Sequence, residues 1–450
     1  MRKSALGVVA AVVVSATVFG GASAFAASPP TGTPVTVSVD SARGSQVGNG
    51  FAGFSYEKNE VGADLFDTSN TNLVNLFRLL GPNVIRIGGN QVDRVNWNAA
   101  GAGGNILEVA PSDVTKLAGF LRATHWKVIY GIDLKLNTSA NAASEAQFAA
   151  QALGNSLQAF EIGNEPDFYD TQAQYEAAFS QYVGAIKAVA PDVTFDGPGQ
   201  AKGTQWDTTF GLDQKANSLT ILSDHTYIDS AANANIPEMM ASNAPGGKLQ
   251  KTEAAMQKAQ QASGIGTWRM TETNSFFNGG ATGVSDTAAA SLWSLDYMSG
   301  IAAHGGVGIN FHGGGTSKYT PITFSGNTVT GVQGVYYGEL LWVMAGTGAY
   351  HSASVNGSPD VTSWGIGRNV FVNNKGATPV TATITLPSFA LIAAAFTMTA
   401  PSLGSTAITI GGAAVSASGA FHPVPHVMPV FGTKVTVTVP AGSAVLVDTL

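Results

Sequence analysis

Cysteine is absent from all 450 residues, which excludes disulfides, thiol catalysis and cysteine-ligated zinc. Charge is scarce as well: Asp, Glu, Lys and Arg together make 11%, against roughly 25% in an average soluble chain. Only 22 residues are Lys or Arg and the formal net charge is −7. No Lys/Arg cluster forms the basic stripe that nucleic acid or a heavily sulfated polymer needs. Heptads of Glu, Lys and Leu are missing, which excludes a coiled coil. What is abundant is apolar and small. Hydrophobic residues reach 44% and glycine counts 54, so a large core is available and disorder is excluded.

The first segment reads as an export signal. Met1-Arg2-Lys3 gives a positive start, Leu6 to Phe19 is apolar apart from Gly7, Ser15 and Thr17, and Ala24-Phe25-Ala26 is a small-x-small site. Cleavage after Ala26 and secretion of the mature chain are expected, with no membrane association afterwards. The expected divisions are 1–26 as signal peptide, 27–50 as linker and first strand, 51–319 as a catalytic barrel, and 320–450 as a β-domain.

Val35, Val37 and Val39 alternate with polar residues, as in a half-buried strand. Eight short apolar runs follow: 51–56, 83–88, 127–134, 158–163, 192–197, 219–227, 267–273 and 306–312. Helical patterns stand between them at 71–80, 112–124 (with Ser112 as its cap), 171–189, 248–263 and 287–303. Short apolar strands alternating with helices indicate a parallel sheet. Eight repeats fit a (β/α)8 TIM barrel. An open doubly wound sheet, the rival, needs a Gly-rich phosphate turn after its first strand, and Glu57-Lys58-Asn59-Glu60 is not one. Beyond about Thr320 the helical period is lost, save a short piece at 335–344, and alternating runs at 361–366, 369–372, 379–386 and 434–439 suggest an antiparallel β-sandwich. The lone strand at Val35–Val39 is expected to join it.

Functional residues of such a barrel gather at the C-terminal ends of its strands. The chain has eleven glutamates, and two occupy these ends in distinctive company. Strand four ends Glu161-Ile162-Gly163-Asn164-Glu165-Pro166, and alternation puts Glu161, Gly163 and Glu165 on one face. Strand seven ends Thr271-Glu272-Thr273-Asn274-Ser275. Two carboxyls facing across a pocket are what glycoside hydrolysis uses: one ionised and attacking, the other carrying a proton to the leaving oxygen.

These motifs resemble a known family. Asn164-Glu165-Pro166 and the Glu that ends strand seven are similar to the clan of retaining barrel glycosidases. Together with Gly53-Phe54-Ser55-Tyr56-Glu57, Ile85-Arg86-Ile87-Gly88-Gly89-Asn90 and Tyr336-Tyr337-Gly338-Glu339-Leu340-Leu341, they resemble glycoside hydrolase family 79, which holds β-glucuronidases and heparanase-like enzymes. The resemblance implies Glu165 as acid/base and Glu272 as nucleophile. It implies a β-glucuronide as the carbohydrate substrate and no cofactor. By position, Asn164 meets the sugar 2-hydroxyl, Tyr227 donates to Glu272, and Asn90 and His225 stand at the mouth. Arg86 is expected to pair with Glu161 inside the barrel, since an unpaired buried charge is costly. Asp133 either faces the pocket or makes an Asx turn. For a uronate carboxylate, the resemblance points to the stretches after strands seven and eight. There Gly314 and Gly315 let backbone N–H groups approach an anion, Tyr319 adds a hydroxyl, and Lys318 is a loop cation. Relatives carry Tyr where this chain has Phe277, so one hydroxyl donor is missing.

Metal and phosphate chemistry is not expected. Pro423 and Pro425 forbid a helical His422/His426 ligand pair, and neither Gly88-Gly89-Asn90 nor Gly313-Gly314-Gly315 ends in Lys-Ser/Thr. A monomeric enzyme is expected. Two other readings stay open: an enzyme of the same clan acting on a neutral sugar such as xylose or glucose, and a carbohydrate-binding protein on the same barrel.

Overall fold

The computed structural model describes residues 32–449. The expected signal peptide and its cleavage point lie outside the described residues. Eight strands close into a barrel: Gly53–Glu57, Val84–Gly88, Lys127–Ile132, Leu157–Ile162, Phe195–Gln200, Leu219–Ser230, Thr267–Phe277 and Ile309–His312. Neighbours pair in parallel all the way round. The (β/α)8 barrel expected from the alternating pattern is borne out.

The helices that follow the strands explain why both strand faces are buried. Thr71–Leu79 turns Leu73, Leu76 and Phe77 inward, where Phe77 meets Trp126 and Phe120. Ser139–Leu153, not foreseen, is alanine-rich and lacks a stripe of large apolar residues. Alanine's high helix propensity and the Thr138 hydroxyl, which accepts from the Asn141 N–H at 3.2 Å, set it instead. The helix Pro111–Thr124 begins after Ala110 rather than at Ser112. Pro111 occupies its first position, and the Asp113 carboxylate accepts from the Ala110 N–H at 2.9 Å, closing the turn that Ser112 was expected to cap. The eighth helix, Gly334–Met344, packs on the barrel through Tyr336, whose hydroxyl donates to the Leu76 carbonyl at 2.8 Å, so the barrel runs past residue 319.

Strand five lies three residues beyond its expected place. Proline lacks the N–H a ladder needs, yet Pro198 lies inside this strand rather than beyond it. The strand continues through Pro198, which pairs opposite Ser223, and the register shifts between Ser223 and Asp224 to accommodate it.

The second domain is an eleven-stranded sheet folded over on itself. Its fold line is the strand Gly348–Asn356. Tyr350–Ser352 pair with Val361–Ile366 on one leaf, whereas Ala353–Asn356 pair with Thr33–Val39 on the other. Val35 and Val37 from one leaf and Val370, Val372, Val445 and Val447 from the other fill the space between. The N-terminal strand thus joins the β-domain. It runs antiparallel to Gly348–Asn356 but parallel to Val380–Thr385, so one pair departs from the all-antiparallel expectation. Among the described residues, no helix is long and apolar enough to cross a membrane.

Candidate active site

The barrel interior is built on ions. Arg86 is fully buried on strand two. Its Nε donates to Glu161 Oε1 at 2.8 Å, and Nη2 reaches the same oxygen. Nη1 donates to Glu272 Oε2 at 2.6 Å, and Nη2 to the Asn164 side-chain oxygen at 2.8 Å. Pairing with Glu161 matches the expectation. The contacts with Glu272 and Asn164 were not foreseen, and they make Arg86 a direct neighbour of the reacting groups rather than a prop beneath them. Burial opposes the guanidinium charge, but Glu161 and Glu272 outweigh it and raise its pKa.

Glu272 sits in the middle of strand seven, opposite His225 of strand six. A register shift between Asp224 and His225 brings these two side chains level. The Tyr227 hydroxyl donates to Glu272 Oε1 at 2.9 Å. Burial alone would raise the Glu272 pKa, but His312, His225, Arg86 and the Tyr227 hydroxyl together hold it down at about 2. Burial and the Glu272 charge push the Tyr227 hydroxyl well up, so it remains a donor. His312 ends strand eight. Its Nδ1 lies 3.1 Å from the Ser55 hydroxyl and 3.8 Å from Glu272 Oε2, and its Nε2 lies 3.7 Å from Glu57 Oε1. Burial pulls its pKa down, yet Glu272 and Glu57 carry it above its ordinary value.

Glu165 follows strand four but does not continue it. The strand ends at Ile162, and Gly163 (φ +81°) and Glu165 (φ +48°) both adopt left-handed backbone, so the expected alternation stops short. The turn lifts Glu165 to the mouth, where its N–H donates to the Gly199 carbonyl at 3.1 Å and its Oε1 lies 3.3 Å from His225 Nδ1. One carboxylate oxygen of Glu165, one of Glu272 and a His225 ring nitrogen all fall within 4.8 Å of one another. Two carboxylates and an imidazole could also hold a divalent ion. However, both Glu272 oxygens already accept hydrogen bonds, from Tyr227 and Arg86, which an ion there would have to share.

These groups open into a cavity of about 730 Å3. Asn90, Asn164, Glu165, His225, Tyr227, Glu272, Phe277, His312 and Tyr319 line it. Asn164 gives its oxygen to Arg86, which leaves its amide N–H groups toward the cavity and Asn90, 3.5 Å away. Tyr319 and Phe277 flank the Tyr227 ring, at 6.1 and 6.4 Å between centroids.

The expectation for two glycines fails here, whereas Lys318 is the loop cation expected and Asp133 takes one of its two expected readings. Gly314 and Gly315 are not on the cavity wall. The Gly314 N–H is spent on the Thr320 hydroxyl at 2.9 Å, and a Cβ there would meet Glu60 Oε1 at 2.6 Å, so this glycine (φ +95°) serves close packing rather than anion approach. Lys318 is exposed and off the cavity. Asp133 accepts from the N–H groups of Lys135 and Leu136 at 2.9 and 3.1 Å, the Asx turn rather than a pocket carboxylate. Conversely, the cavity is also lined by Glu57, Asp93, Arg94, Lys135, Tyr169 and Lys248, none of which was singled out as a site residue. Only Glu57, inside the strand-one motif, and Lys248, a cation on the first residue of a helix, carried any sequence signal.

No family model matches the chain. A β-glucuronidase of Aspergillus niger is 25% identical over 268 residues, which cover 48% of this chain and 46% of that protein. A β-glucuronidase of Neurospora crassa is 25% identical over 356 residues, covering 64% of this chain and 60% of its own length. The matched stretches thus span about half of these curated relatives. Among solved structures, a 4-O-α-L-rhamnosyl-β-D-glucuronidase of Fusarium oxysporum superposes with a TM-score of 0.76 at 23% identity, over 92% of this chain and all of that one. A family 51 α-L-arabinofuranosidase of Thermotoga petrophila gives 0.70 at 14% identity, over 92% and 99%. At these identities the structures establish the shared fold. The sequence matches bear out the likeness to β-glucuronidases that the motifs carried.

Proposed function

We propose that this chain is a retaining glycoside hydrolase, a β-glucuronidase that releases terminal β-linked glucuronic acid by double displacement. The observation that carries the reading is the 4.8 Å grouping of Glu165, His225 and Glu272 at the mouth of the barrel. Carboxyl groups about 5–5.5 Å apart suit a retaining pair, whereas inverting pairs stand about 6.5–9.5 Å apart to admit water. Names borne by the fungal relatives supply the sugar.

In the first step Glu272, kept ionised by Arg86 and Tyr227, attacks C1 from below. The C1–O bond breaks as Glu165 gives its proton to the departing oxygen. A glycosyl ester on Glu272 results. In the second step the Glu165 carboxylate takes a proton from water, the water oxygen bonds to C1, and the ester bond returns its electron pair to Glu272. The Asn164 amide, oriented by Arg86, donates to the 2-hydroxyl, a contact that strengthens in the transition state. The N-terminal segment makes this an exported enzyme, a reading tested by the mass of the mature protein.

The test is a panel of 4-nitrophenyl glycosides with Glu272→Ala and Glu165→Ala. The first variant should lose turnover. The second should slow most on poor leaving groups, and added azide should restore turnover and give the β-glycosyl azide. Equal loss of Glu165→Ala on every leaving group, or a near-normal rate for Glu272→Ala, refutes the assignment. Phe277, which offers no hydroxyl, favours one competing reading, a neutral-sugar glycosidase. Faster cleavage of the glucoside or xyloside than of the glucuronide would establish it.

A further inference from the structure

We infer that the Lys248 ammonium is the counter-charge that reads the C5 carboxylate of the sugar, so that uronate selectivity in this chain rests on a helix-borne lysine. The inference depends on the glucuronidase reading above. A pyranose carries C2 and C5 at opposite corners of the ring. With the 2-hydroxyl at Asn164 on the strand-four side, C5 points to the wall formed by strands six and seven and the end of strand eight. Tyr227, Phe277, Tyr319 and Lys248 line that wall.

The other cavity cations are committed or misplaced. Arg86 is saturated by Glu161, Glu272 and Asn164. His225 and His312 face Glu165 and the Glu57–Glu272 pair. Arg94 and Lys135 stand on the loops after strands two and three, on the Glu165 side by which the leaving group departs.

Lys248 is exposed but lines the cavity, and it spends one N–H on the Ile228 carbonyl at 3.1 Å, one residue along from Tyr227. Among the described residues, no carboxylate lies within 4.0 Å of it. Asp229, which feels its charge, is engaged by the Ser230 N–H and the Asn233 amide. Two ammonium hydrogens therefore remain for a ligand. The position also opposes stability. Lys248 opens the helix Lys248–Ser263, where the macrodipole repels a cation. A cavity-lining cation without a carboxylate partner, tethered to strand six at the repelling end of a helix, is placed to meet an anion that arrives with the substrate.

The experiment compares 4-nitrophenyl β-D-glucuronide with 4-nitrophenyl β-D-glucoside on the full chain and on Lys248→Met and Lys248→Arg. For the glucuronide, Lys248→Met should lose about 30-fold or more in kcat/KM, chiefly through KM, and Lys248→Arg should keep most of it. Glucoside turnover should stay within about twofold, which also certifies folding. Adding Phe277→Tyr to Lys248→Met should recover part of the loss. Equal losses on both substrates, or none on the glucuronide, overturn the inference while leaving the glucuronidase reading intact. Wild-type cleavage of the glucoside alone overturns both.

Discussion

The Tyr227 hydroxyl lies 2.9 Å from Glu272 Oε1, a neutral donor beside the charged groups that hold this carboxylate ionised. Hydrogen bonds to a charged group contribute about 1.5–3 kcal/mol, so Tyr227→Phe should lower kcat/KM about 10- to 100-fold with little change in thermal stability. Steady-state kinetics on an aryl glycoside checks this. An unchanged rate would mean that His312, His225 and Arg86 suffice to keep Glu272 in its working state.

Arg86 joins Glu161 and Glu272 through hydrogen bonds inside the barrel. Arg86→Met leaves two buried carboxylates without their cation, and breaking such a pair costs about 3–5 kcal/mol. The variant should unfold at markedly lower denaturant. Adding Glu161→Met should regain part of the stability but none of the activity, because Glu272 still lacks its partner. Restored activity in the double variant would contradict the role given to Arg86.

Glu60 packs under Gly314, close to Glu57. Burial and the Glu57 charge raise its pKa to about 7, against the opposing pull of His312 and the Gly315 N–H. The folded state therefore binds more protons than the unfolded state between the ordinary carboxylate range and pH 7. Stability from this residue falls as pH rises through that window. The melting temperature should drop from pH 5 to pH 8, and Glu60→Gln should flatten that slope by raising the value at pH 8. An unaltered slope would place the titration elsewhere, Asp93 (raised to about 6) being the next group to replace.

Both Glu272 oxygens accept hydrogen bonds from protein donors, so the Glu165–His225–Glu272 trio is expected to work without a metal. Dialysis against a chelator should leave kcat/KM unchanged. Loss of activity that a divalent ion restores would reassign the trio as a metal site.

Much of this could be read along the chain, and the reason is locality. A barrel strand buried on both faces announces itself as a short apolar run, and Glu272 could be placed because it lies within one continuous strand, although the register shift that levels it with His225 was not legible. Glu165 was reached for a less secure reason. Its side chain arrives through two left-handed residues, not through alternation. What stayed hidden depends on contacts between remote segments. The buried ion pair of Lys58 with Glu145, 2.7 Å apart, joins a loop after strand one to the alanine-rich helix after strand three. Gly314 looked like an anion cradle because glycine permits one, but whether a neighbour already fills that space is settled by Glu60. Lys248 lies far from every motif, and only the meeting of its helix with strand six brings it to the cavity.

The strand Thr33–Val39 is flanked by Gly348–Asn356 and Val380–Thr385. During synthesis it therefore emerges before the whole barrel and must wait, ladder groups unpaired, until these two later strands have been made. Along the chain, the barrel is enclosed between the first strand of the β-domain and the strands that complete it. Expressing the barrel segment alone would strip it of this closing clasp, and circular permutants that open the chain between residues 39 and 53 should tell whether assembly tolerates a different order.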